Sequence, residues 1–130
     1  MKENIETKVT GQVAIRVDGK PIYENHNDVS SSWANYISRA LGESDYKLNT
    51  LHFLLTGTPI HTEVIPAVTY PAGNAVRFVW EFIVAGSNLH CDGLKMSAGT
   101  IGEYFSTFAG FDNTFLIGQT VTITWDLTFN

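Results

Sequence analysis

Cysteine is almost missing from this chain: Cys91 stands alone. One thiol cannot close a disulfide within the chain, and a zinc site would have to draw on other ligands. Charge is scarce as well, at 16% against about 25% in an average globular chain. What charge there is leans acidic, with a formal net value of -5. The Lys and Arg residues form no run. Nucleic-acid binding calls for a basic patch that displaces counterions, so direct contact with DNA or RNA is not expected. No apolar stretch approaches the ~20 residues that a membrane-spanning helix needs. The opening Met1-Lys2-Glu3-Asn4 is polar and lacks the apolar run of a secretory signal. These features point to a chain made in a cytoplasm, with no membrane partner.

Aromatic and apolar residues are plentiful: eight Phe, five Tyr and three Trp, in a chain that is 44% apolar. With 130 residues the chain fits one domain. A domain of that size buries roughly two-thirds of its unfolded surface and needs no metal or disulfide staple. Residues 1–7 are polar and read as a flexible N-terminal arm, leaving 8–130 as the domain.

Hydrophobic periodicity supplies most of the structural reading. Val9, Gly11, Val13, Ile15 and Val17 alternate with polar residues, the pattern of a half-buried strand. Asp18-Gly19 follows as a hairpin turn, and Pro21 to Glu24 as a short return strand. Asn25-His26-Asn27-Asp28 reads as a turn. A helix is expected over about 29–41, because Val29, Trp33, Ile37 and Leu41 recur every four residues and Gly42 suits its end. Leu51 to Leu55, Val64 to Tyr70, Val76 to Val84 and Leu89 to Met96 read as strands, the last with a bulge at Asp92-Gly93. Thr100 to Phe115 has no clear period. The chain closes on Val121, Ile123, Trp125, Leu127 and Phe129 alternating with Thr and Asp. Short strands separated by turns, with one helix, predict a mainly β chain. The expected form is an antiparallel β-sandwich or jelly-roll-like domain.

Chemistry is harder to find. His26, His52, His61 and His90 contain no pair at metal-ligand spacing. His90 and Asp92 could share a strand face, although an ordinary polar face accounts for them more simply. Cys91 reads as a small buried apolar residue. Arg77 and Glu81 lie on one strand face and read as a structural ion pair. No nucleophile elbow and no phosphate-binding loop is present, so neither catalytic residues, nor metal, nor cofactor are expected. Ile60, Ile65, Pro66, Tyr70, Phe105, Phe108, Phe111 and Phe115 stand out because solvated loops rarely keep such residues uncovered. Either they fold over the sandwich as a lid, or they are contacts with other subunits.

The order of these features resembles that of small tailed-bacteriophage virion proteins. The elements carrying the resemblance are Gly11 to Tyr23, the turn Asn25 to Asn27, the helix Val29 to Leu41 and the strand Leu51 to Gly57. The long strand Val76 to Val84 and Asp92 before Gly93-Leu94 follow, and then Gly118-Gln119-Thr120 through Phe129. The Phe- and Gly-rich segment after Leu94 departs from the pattern. The resemblance implies a non-enzymatic virion component: a capsid decoration (cement) protein, a head-fibre base or a tail accessory. Its partners would be major capsid or tail proteins and further copies of itself, with a trimer as the expected oligomer. Ile5 and Thr7 of the arm, with Ile60, Ile65, Pro66, Tyr70, Phe108 and Phe111, are the expected interface. The alternative is a carbohydrate-binding β-sandwich module, with Tyr46, Tyr70 and Tyr104 as stacking residues for a glycan.

Overall fold

In the computed structural model, residues 9–29, 34, 37, 41, 48–98 and 104–130 are described. Nine strands run through them: β1 (Val9–Val17), β2 (Lys20–Val29), β3 (Thr50–Leu55), β4 (Thr58–Val64), β5 (Ala67–Ala72), β6 (Ala75–Ile83), β7 (Leu89–Ser97), β8 (Tyr104–Phe115) and β9 (Thr120–Phe129). The chain is mainly β, and every strand pairing is antiparallel. The order β4-β3-β7-β8-β2-β1-β9-β6-β5 folds over into two facing layers, a sandwich-like arrangement. Strand β2 joins the layers. Most of its length pairs with β1, and then Asp28 and Val29 pair with Thr107 and Ser106 of β8.

Two sequence expectations fail at β2. Asn25 to Asp28 belong to the strand rather than to a turn, and Val29 is its last residue rather than the start of a helix. The ladder with β1 satisfies the backbone groups of these polar residues, which have little strand propensity of their own. Ala34, Ile37 and Leu41 are helical. The rest of the expected helix, Gly42, Tyr46 and the arm 1–7 lie outside the described residues.

The Asp18-Gly19 hairpin is present, with φ of 51° and 79°. Thr56-Gly57 has the same pair of angles, between β3 and β4. Both are the two-residue turns whose twist matches that of the flanking strands.

The core lies between the layers. β1, β6 and β9 contribute Val13, Ile15, Phe78, Trp80, Ile123 and Trp125 from one side, at the alternating positions read from the sequence. β3, β7 and β8 contribute Leu51, Phe53, Leu94, Met96, Phe105 and Phe115 from the other. Phe53 meets Phe82 of β6 edge to face, with ring centroids 5.4 Å apart.

The Phe-rich segment is neither lid nor loop. It is β8, and Phe105, Phe108, Phe111 and Phe115 are all buried. Its spacing hides the strand because the register slips. Gly93 faces Ala109 while Cys91 faces Asn113, so β8 advances four residues where β7 advances two. Gly110, at φ 88°, sits in the extra stretch. The bulge lets Phe108 and Phe111 both turn inward, stacked with centroids 5.5 Å apart.

Candidate functional site

The open edges of the two layers, β4 and β5, are joined by Ile65-Pro66. Ile65 has a φ of 59°. A β-branched residue in the left-handed region is an outlier that costs on the order of 1–3 kcal/mol. The Ile65 N–H donates to the Asn49 carbonyl at 3.2 Å, which ties the corner to the start of β3. The side chain is nevertheless 84% exposed. A strained backbone thus displays an apolar side chain to solvent.

Beside this corner opens a groove of about 1130 Å³. Phe78, Leu127 and Phe129 line it from the inner face of β6 and β9. Val68 pairs with Phe78 and faces the same way, and Tyr70 follows two residues on. Because β5 is an edge strand, both remain exposed, Tyr70 at 75%. Leu48, Phe105, Ile37 and Leu41 also line the groove, and Leu41 is 87% exposed. The Asn74 side chain donates to the Phe129 carbonyl at 3.0 Å, and the Phe129 N–H donates to the Asn74 carbonyl at 2.8 Å. None of the described residues lining the groove is charged. Such a surface gains free energy by covering apolar area.

Of the expected interface residues, Ile65, Pro66 and Tyr70 come together at the groove. Ile60 is exposed on β4, away from the groove lining. Ile5 and Thr7 lie outside the described residues. Phe108 and Phe111, expected at the interface, are core residues instead: the β8 bulge turns both rings between the layers. Val68 and Leu41, outside the expected set, also line the groove. Val68 shares the period-2 face of Tyr70, whereas Leu41 belongs to the four-residue recurrence of the expected helix.

The polar candidates resolve into other pairs. Arg77 does not meet Glu81. Its Nε and Nη2 donate to the two Asp126 oxygens at 2.8 and 2.9 Å, and Glu81 accepts from Thr122 at 3.1 Å. His90 Nε2 lies 2.5 Å from Asp112 Oδ1, while Asp92 accepts from the Thr56 N–H at 3.0 Å. Among the described residues, no three His, Cys, Asp or Glu side chains gather as a metal site. His52 sits 2.8 Å from Ser97 Oγ, and burial together with Lys95 lowers its pKa. Of the proposed stacking tyrosines, Tyr104 lies beneath the Lys95 ammonium, 4.2 Å from the ring centre, and against His52.

Cys91 is fully buried, and burial, reinforced by Asp92 and Asp112, pushes its thiol up to about 12. The thiolate is the reactive form. The native protein is therefore expected to resist a thiol-alkylating reagent that modifies the denatured chain within minutes. Rapid labelling of the folded protein, read by intact mass, would contradict that environment.

No helix among the described residues is long and apolar enough to cross a membrane. No protein-family model, curated protein or solved structure matches the chain.

Proposed function

We propose that this chain is a non-enzymatic structural component of a bacteriophage particle, most simply a capsid decoration protein, acting through protein–protein contacts. The observation that supports contact as its mode of action is the exposed, strained Ile65 beside a groove whose described lining is apolar and uncharged. The particle context comes from the resemblance in sequence order, carried by the elements other than the Asn25–Asn27 turn and the start of the helix at Val29, which belong to β2. A neighbouring virion subunit covers the corner, and Ile65, Tyr70 and Leu41 lose their solvent contact. Each large aliphatic side chain so buried contributes about 1.5–3 kcal/mol. That gain also offsets the backbone cost at Ile65.

Ile65→Asn tests both halves of the reading. Asn tolerates the left-handed backbone and removes the apolar side chain. The isolated domain should become more stable by about 0.5–1 kcal/mol in chemical denaturation, because strain is relieved. The amount of protein retained on purified particles, counted by quantitative mass spectrometry, should fall. Absence of the wild-type chain from particles would remove the virion reading. Equal loading of the variant would remove this corner from it.

A further inference from the structure

The outer face of the β1-β9-β6 layer, opposite the groove, has its own relief, and the register explains it. One cross-strand row is Gln12, Asp126 and Arg77. Another, four residues along each strand, is Arg16, Thr122 and Glu81. Between them runs a row of shorter side chains, Ala14, Thr124 and Val79, with Glu24 of β2 beside Ala14. Long side chains on either side of short ones leave a trough of about 300 Å³.

Its walls are held in place by one another. Gln12 Nε2 donates to Glu24 Oε1 at 2.9 Å, and Arg77 grips Asp126 through two hydrogen bonds. That bidentate pair fixes a planar guanidinium and a planar carboxylate edge to edge, with donor and acceptor capacity left over. The Arg16 side chain, on a strand paired through its backbone, has no hydrogen-bond or ion-pair partner among the described residues. Among the described residues the lining carries two arginines, Arg16 and Arg77, and two carboxylates, Glu24 and Asp126, whose formal charges sum to zero in a chain of net charge -5. A neutral site rich in alternating donors and acceptors suits a neutral, hydroxyl-rich ligand rather than a phosphate or a cation. The volume lies at the lower end for small-molecule sites, roughly 300–1,000 Å³. It fits one sugar ring and little more.

We propose that this trough is a subsite for a single residue of a neutral saccharide. Glu24 and Asp126 accept from adjacent hydroxyls, Arg16, Arg77 and Gln12 donate to hydroxyl oxygens, and Ala14 forms the floor. The site does not depend on the groove or on the particle reading. It also differs from ring stacking on Tyr70 or Tyr104, since no aromatic side chain among the described residues lines it.

The test is a titration of the full chain, followed by backbone amide NMR, with the methyl glycosides of glucose, galactose, mannose and N-acetylglucosamine. At least one should give saturable shifts centred on Gln12, Ala14 and Thr124, with a dissociation constant in the millimolar range. Arg77→Gln and Gln12→Ala should each weaken that binding by about tenfold, with the dispersed spectrum confirming that each variant folds. Tyr70→Ala should leave it unchanged. No saturable shift at the trough with any of the four overturns the proposal. So does equal perturbation by inorganic phosphate alone, which would mark an anion site at Arg16.

Discussion

Trp125→Ala should cost about 3–5 kcal/mol of folding stability. Domains of this kind are held by only about 5–15 kcal/mol, so the variant should unfold at a markedly lower denaturant concentration or fail to fold. Trp125 is fully buried on the inner face of β9, between its cross-strand neighbours Val13 and Phe78. Few atoms nearby can move into the space, because both flanking strands are fixed by regular ladders. Its indole N–H has no acceptor among the described residues. The side chain therefore acts through volume and contact rather than through a hydrogen bond. Trp125→Phe follows from this: it keeps most of the packing, orphans no acceptor and should cost about 1–2 kcal/mol. Equilibrium denaturation of the two variants separates the contributions. A Phe variant as unstable as the Ala variant would mean that the indole nitrogen matters after all.

The second large effect is expected at Gly11. A Cβ there would overlap the side-chain amide of Asn27, its partner in β2. That amide donates to the Ser106 hydroxyl of β8 at the point where β2 passes from one layer to the other. Gly11→Ala must push the amide aside, so steric strain is added to the loss of a polar contact at a nearly fully buried Ser106. Overpacking and a displaced buried hydrogen bond together should cost about 2–4 kcal/mol. If the clash is the cause, Asn27→Ala should partly rescue Gly11→Ala. The double variant is then less destabilised than the sum of the singles, and the difference is the coupling between the two positions. Strict additivity would show that Gly11 matters for another reason.

Position 11 looked like one more inward place in an alternating strand, and the sequence carried no sign that an amide sixteen residues later would press against it. Other elements divide in the same way. β1, β6 and β9 were legible because each has a regular ladder with one face on the core, so period-2 alternation survives along its length. β8 was not legible, because its register slips move Phe residues spaced by three and four onto one face. β2 was misread for a different reason. Its Asn25, Asn27 and Asp28 favour turns locally, and only the ladders with β1 and β8 make them a strand.

Polar pairing shows the same limit. Glu81 lies four residues beyond Arg77, which on an extended strand is about 13 Å. Asp126 is far away in sequence but directly across the ladder, within hydrogen-bonding distance. The fold class, the Asp18-Gly19 turn and the conspicuous Ile65, Pro66 and Tyr70 were all written in local order and composition, whereas the irregularity expected at Asp92-Gly93 of β7 puts its extra residues in β8. Backbone geometry and side-chain period are properties of short stretches, so a short stretch can declare them. Which strands neighbour one another, which aromatic residues are core, and which apolar residues line a groove were decided by pairings between distant segments. No local pattern encodes those pairings, because their free energy comes from surfaces that meet only once the two layers have closed.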